Sequence, residues 1–212
     1  YVPGRDFAFS QSAIFLRGRF NIAKTDAALI LLQFRKDLLV GVDIARSLGG
    51  AGAWLEGAGV VPGAFDNGAA ARAQKYIRVA TGIDGSLNAT TYALLEYHFN
   101  SAGSSRPAAY AGLLSTPAYS RGSTYLLGRH YISTGLNYQM TPLVLISGMI
   151  IANVQDRSLS LSPQIEYNIS NNIYIGGGIY LGLGKQPGKP TMTISPEAES
   201  PESEFGSYPD YG

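Results

Sequence analysis

The chain has 212 residues, of which 15% are charged, with a formal net charge of +1, no cysteine, 26 glycines and 14 tyrosines. Near-neutral charge without a Lys/Arg run argues against a nucleic-acid partner, and the lack of cysteine rules out a disulfide framework, a thiolate metal site and a cysteine nucleophile. No run of about 18 apolar residues reads as a helical membrane span, since the longest candidate, residues 143–152, is broken by Ser147 and Gly148.

Alternation of apolar and polar residues predicts ten strands. The first covers residues 8–22, with Ile14, Leu16, Gly18, Phe20 and Ile22 outward and Phe15, Arg17, Arg19 and Asn21 inward. Residues 27–35 follow, where the run Leu29-Ile30-Leu31-Leu32 hides the alternation, and then residues 38–46, where Leu38, Val40, Val42 and Ile44 oppose Gly41 and Asp43. Gly49-Gly50 turns the chain into residues 51–60, in which Trp54 and Glu56 share a face. Residues 76–84 set Ile77, Val79 and Ile83 against Arg78 and Asp84, and residues 91–100 set Ala93, Leu95, Tyr97 and Phe99 against Glu96, His98 and Asn100. Two more strands, residues 131–138 and 143–154, precede the clearest pair. In residues 158–169, Leu159, Leu161, Pro163, Ile165, Tyr167 and Ile169 oppose Ser160, Ser162, Gln164, Glu166 and Asn168. After the turn Ser170-Asn171-Asn172, Ile173, Ile175, Gly177, Ile179, Leu181 and Leu183 oppose Tyr174, Gly176, Gly178, Tyr180, Gly182 and Gly184. Each inward parity is set by charged residues, which are costly against lipid.

Strands of this length suit a bilayer core, which takes about 9–11 tilted residues, better than the usual globular strand of about 5–6. The links after the odd strands are all short, whereas those after the even strands include residues 61–75, 101–129 and the tail beyond 184. Bacterial barrels keep short turns in the periplasm and long loops outside. Phe20, Tyr138 and Tyr167 fall on outward parity beside the short links, and Phe34, Tyr97 and Phe99 on outward parity at the opposite end, as two interfacial belts require. With no initiator Met and no leader at Tyr1, the chain reads as a processed product or a fragment. Both termini fall on the long-loop side, so at least one further strand at each end, and a parent barrel of about 12 or more, is expected.

Three stretches resemble Gram-negative outer-membrane porin-like β-barrel proteins. They are Arg129-His-Tyr-Ile-Ser-Thr-Gly-Leu-Asn-Tyr-Gln-Met-Thr-Pro-Leu, Asp156-Arg-Ser-Leu-Ser-Leu-Ser-Pro-Gln-Ile-Glu-Tyr-Asn and Asn172-Ile-Tyr-Ile-Gly-Gly-Gly-Ile-Tyr-Leu-Gly. The likeness covers the second half of the chain, and the first half only by texture. Ser203-Glu-Phe-Gly-Ser-Tyr-Pro-Asp looks like the lead into a final strand of such proteins. The resemblance implies an envelope location and passive transport, and identifies no substrate.

The candidate pore-lining residues are Arg17, Arg19, Asp43, Glu56, Arg78, Asp84, Glu96, His98 and Glu166. Rings of such charges, of either sign, select ions or polar solutes; the alternative is a lumen filled by Arg–carboxylate pairs. His98 and His130, the only histidines, come with no Gly-x-Ser-x-Gly elbow and no partner set, so neither catalysis nor a metal site is expected. Gly176-Gly-Gly-Ile-Tyr-Leu-Gly lies inside a strand with no following helix and lacks the context of a dinucleotide loop. Asp66-Asn67-Gly68 is a turn signal. The loop 101–128, with Arg106, Tyr110, Tyr119, Arg121 and Tyr125, either folds into the pore or presents a docking surface. Glu197, Glu199, Glu202 and Glu204 read as a solvated acidic tail.

The sequence thus points to an all-β antiparallel transmembrane barrel over residues 1–184 and a Pro/Ser/Glu-rich loop or tail over 185–212. The expected role is a porin-like channel for small polar solutes or ions in the bacterial outer membrane, without chemistry or cofactor. Its partners would be the lipid bilayer and a further copy or an envelope protein. A structural barrel that houses or anchors a partner, and a soluble β-sandwich or filament subunit, are the alternatives.

Overall fold

A computed structural model describes residues 12–65, 74–170, 172–185 and 203–206. Its strands are β1 (Ala13–Ile22), β2 (Thr25–Phe34), β3 (Asp37–Leu48), β4 (Ala51–Val61), β5 (Tyr76–Ser86), β6 (Thr91–Asn100), β7 (His130–Thr141), β8 (Val144–Asn153), β9 (Leu159–Ser170), β10 (Ile173–Gly178) and β11 (Leu181–Leu183). From β1 to β10 each strand is antiparallel to the next in the chain. β11 continues β10 in the same register along β9, with Gly178 opposite Gln164 and Leu181 opposite Leu161. The ten expected strands are therefore present, the tenth as two pieces. The expected start of the first strand, at residues 8–11, and the turn Asp66-Asn67-Gly68 lie outside the described residues.

Short turns hold this meander in register. Ala23 and Lys24 join β1 to β2 with φ of 51° and 64°, the left-handed pair that matches the twist of a two-residue hairpin. At the next turn on the same side, Gly49 takes φ 69° without the cost a side chain would add.

Register carries the faces across the whole sheet. Arg19, Ala28, Asp43, Glu56, Ala80, His98, Tyr131 and Asn153 form one row from β1 to β8. On the other face a row runs Phe20, Ala27, Ile44, Leu55, Thr81, Tyr97, Ile132, Ala152, Leu159 and Leu183. It begins near the turn end of β1 and finishes on the last residue of β11, at the loop end. Strands that drift in this way are tilted against their rows, as the wall of a barrel is. Phe34 differs from expectation. It lies opposite Asp37 and shares the face of Leu32, because the apolar run before it concealed the parity and Gln33 takes the other side.

The sheet is open among the described residues: β1 pairs only with β2, and β10 and β11 only with β9. Among the described residues no second layer covers the apolar face, on which Leu16 is 66% exposed, Leu29 59%, Ile83 54% and Ile165 52%. The buried apolar residues gather elsewhere, at the loop end, where Val60, Tyr76, Ala118 and Tyr119 pack together with Leu39, Leu113 and Leu127. Residues 101–129, read from sequence only as a loop, supply much of that cluster through a 3₁₀ turn (Pro107–Ala109), α1 (Tyr110–Leu114) and α2 (Pro117–Ser120).

Candidate functional site

All nine charged or histidine residues expected to line a pore fall on one face of the sheet. Arg17, Arg19, Asp43, Glu56, Arg78, Asp84, Glu96 and His98 come from β1 to β6, and only Glu166 from β9. The same face of β7 and β8 carries Tyr131, Ser133, Gly135 and Asn137 against Asn153, Ile151, Met149 and Ser147. Charge is thus concentrated over one half of that face. There a cavity of ≈ 560 Å³ is lined by Arg17, Asp43, Glu56, Arg78, Glu96 and His98, among others.

Within it the side chains are sorted by the backbone beneath them. Arg17 donates to Asp43 at 2.8 Å across the intervening β2. Glu56 lies opposite Ala80 and Glu96 opposite Gly82, so the two carboxylates flank β5 above small residues. The Trp54 indole lies over Gly82 on the neighbouring strand. A methyl group at Gly82 would meet the Trp54 ring and approach the Leu95 carbonyl to 2.6 Å, so this position requires glycine. Among the described residues one ion pair, Arg17–Asp43, lies on this face beside the carboxylates of Glu56 and Glu96.

Loop 101–129 folds back over one end of this face. Asn100, the last residue of β6, is fully buried; its amide donates to Thr124 Oγ1 at 3.2 Å and to the Leu126 carbonyl at 3.1 Å, and its oxygen accepts from Ala102 N–H. Tyr119 of α2 donates to the same Leu126 carbonyl at 2.7 Å, and burial pushes its phenol up to about 12. Asn153, the last residue of β8, plays the matching part for α1. Its amide lies 3.0 Å from Tyr110 Oη, 2.8 Å from Glu204 and 3.2 Å from Asp156. Two even strands thus end in a buried asparagine that captures a tyrosine from the loop. Two further ties reach the wall: Arg121 donates to Asp37 at 2.7 Å, and Arg78 to the Ser123 carbonyl at 3.1 Å.

Glu204 is held far more firmly than a solvated acidic tail would be. Its carboxylate accepts from Leu127 N–H at 2.9 Å, from Asn153 and from the Tyr131 hydroxyl, while its own N–H donates to Asp156 at 2.7 Å. Burial is the strongest influence and raises its pKa despite those donors. Ser203 is also buried, and Phe205 N–H donates to Ser158 Oγ at 3.2 Å. Segment 203–206 therefore latches the cap to the ends of β7, β8 and β9. Glu197, Glu199 and Glu202 lie outside the described residues.

The two histidines face opposite ways. His98 shares the inner row with Tyr131, whereas His130 stands on the outer face, where its Nδ1 is 2.6 Å from Tyr97 Oη and its ring 5.2 Å from that of Phe99. That outer cluster belongs to the aromatic end of the wall. Among the described residues no three His, Asp or Glu side chains gather as a metal-ligand set. Comparison with protein-family models, with curated proteins and with solved structures finds no match. The chain's own geometry is therefore what its function must be read from.

Of these features, the charged inner face was legible from alternation. The asparagine anchors and the Glu204 latch were not. The only sequence signal for the anchors is that β6 and β8 both close on asparagine directly after an apolar residue, at Phe99-Asn100 and Ala152-Asn153.

Proposed function

We propose that the chain forms the wall of an outer-membrane β-barrel and serves as a porin-like passage for small polar solutes or ions. The observation that carries this reading is the two-faced sheet. One face bears exposed Leu, Ile and Val from strand to strand with no layer of the described residues against it, and the other bears the charges. Lipid is the partner that such an apolar face suits, and water the partner of the charged one. The tilt of the rows and the aromatic residues at both ends support the same reading. Loop 101–129, folded over the inner face, would narrow the passage at its outer mouth.

The open edges β1 and β10–β11 favour a second reading, a structural barrel completed by or built around an envelope partner. Planar-bilayer recording from the full-length protein separates the two. Discrete conductance steps are expected of the passage, and well-folded, bilayer-inserted protein with no conductance would leave the structural barrel.

A further inference from the structure

The two sides of the cap are fastened to the wall by different means. On the side of β3 to β5, α2 supplies Ala118 and Tyr119 to the buried apolar cluster with Val60 and Tyr76, and Arg121 and Arg78 add polar ties across the same seam. On the side of β7 to β9, α1 buries only Tyr110, whose hydroxyl meets the Asn153 amide. That side also hangs on segment 203–206, a strap that bonds to the cap through one side chain. Glu204 accepts from Leu127 N–H of the cap and, on the wall, from Asn153 and the Tyr131 hydroxyl. The strap itself is tied down by Glu204 N–H on Asp156 at 2.7 Å, Phe205 N–H on Ser158 Oγ at 3.2 Å and Ser203 Oγ on the Lys185 carbonyl at 2.7 Å.

These fastenings differ in how readily they let go. Parting the α2 cluster returns apolar surface to water with nothing in exchange, whereas a hydrogen bond broken at the strap is replaced by one to water. Among the described residues no Lys or Arg stands within ion-pair distance of Glu204, and Asp156 shares the Asn153 amide with it. A half-buried carboxylate without a cation gains solvation by leaving. Local opening begins where buried apolar contacts are fewest, which is here the α1 side. A joint for such a movement exists, since only Ser115 and Thr116 separate α1 from α2.

We infer that residues 101–129 form a lid, hinged on the packed α2 and latched by Glu204, whose α1 side lifts off the ends of β7 to β9 when the strap lets go. The structure holds the latched state, in which the chain's own segment 203–206 keeps the lid over the inner face. The consequence for transport rests on the passage reading, on which a lifted lid widens the outer mouth. The lid itself does not, because its opening can be measured on folded protein in detergent without any conductance.

The chain has no cysteine, so single cysteines can report each side. Ser158, fully buried and bonded to the strap, reports the latch, and Ala118, in the packed cluster, reports the hinge. The test is the rate of reaction of S158C and of A118C with a water-soluble maleimide in full-length, detergent-folded protein, with and without E204A. E204A is expected to speed S158C by about tenfold or more and A118C by less than about twofold. E204Q, which keeps the side-chain length and one acceptor oxygen, should fall between. Circular dichroism and heat-modifiable migration check that each variant folds. Should a cysteine variant fail to fold, hydrogen exchange of Ala109 on the α1 side against Gly122 beyond α2 carries the same contrast in E204A. Equal acceleration on both sides, or none on the latch side, would overturn the lid. Planar-bilayer conductance is read alongside and should rise in E204A. Unchanged conductance with a faster S158C would overturn control of the mouth, whereas no conductance from either protein would overturn the passage and leave the lid to the cysteine contrast.

Discussion

The wall and the cap of this molecule are held together by opposite means. Along β1 to β9 the backbone hydrogen bonds are spent on strand neighbours and one face carries uncovered Leu, Ile and Val, while among the described residues the buried apolar cluster lies at the loop end. The cap contains the fully buried Tyr110, and with it Asn100, Tyr131 and Asn153 on the strand ends, joined by side-chain hydrogen bonds. On the proposed reading lipid hides the apolar face of the wall, while the cap brings its own buried contacts. Substitutions on the two should respond to different variables: those on the wall to lipid, and those on the cap to hydrogen-bond partners and pH.

The largest effect is expected on the wall. Leu29, near the middle of β2 and 59% exposed, should tolerate arginine in water but not against hydrocarbon. L29R is expected to cost about 2–4 kcal/mol in urea titrations of bilayer-folded protein. An equal, small cost with and without lipid would place this face in water.

In the cap, N153A removes the amide that serves Tyr110, Asp156 and Glu204, leaving buried acceptors short of donors, at a cost of about 1–3 kcal/mol. Its effect should be local. Hydrogen exchange is expected to rise over 101–129 while β2 to β5 stay protected. Inside the wall, G82A sets a methyl group against Trp54 and should cost about 1–3 kcal/mol, read as a change in the Trp54 fluorescence together with a lower urea midpoint. R121A breaks a half-exposed pair with Asp37 and should cost no more than about 1 kcal/mol, with a further reduction of that difference at high salt.

The subtlest expectation concerns pH. Because burial raises the Glu204 pKa above its ordinary 4.5, the folded cap binds that proton more tightly than the unfolded chain does. The contribution is fully present below the ordinary value and is lost as pH rises through the raised one. Asp156 of the β8–β9 link, Tyr131 of β7 and Tyr110 of α1 are the titratable groups that face it. Protection of the Leu127 amide should therefore decline from acid toward neutral pH in the native protein, and E204Q, locked in the uncharged form, should flatten that decline.

How much of this was readable in advance follows from the range of the interactions. Strand parity is a two-residue property, and one charged residue such as Asp43 or Glu166 suffices to fix it. Hairpin register is nearly as local, since a two-residue turn at Ala23-Lys24 leaves one pairing for β1 and β2. Phe34 was misplaced because four apolar residues in a row erase the alternation. The cap was out of reach for a different reason. Tyr110 and Asn153 are 43 residues apart, Arg121 and Asp37 are 84 apart, and Glu204 reaches Leu127 over 77. No local pattern encodes such pairs, and Glu204 in particular sits among acidic residues whose composition suggests solvation.

The central claim is that alternate residues of one strand face lipid and water. The chain has no native cysteine to remove, so single cysteines at Gln164, Ile165, Glu166 and Tyr167 of β9 can each carry a spin label in bilayer-reconstituted protein. Accessibility to oxygen against a water-soluble nickel chelate should then alternate, with Ile165 and Tyr167 exposed to oxygen and Gln164 and Glu166 to the chelate. Uniform chelate accessibility at all four positions would contradict the account.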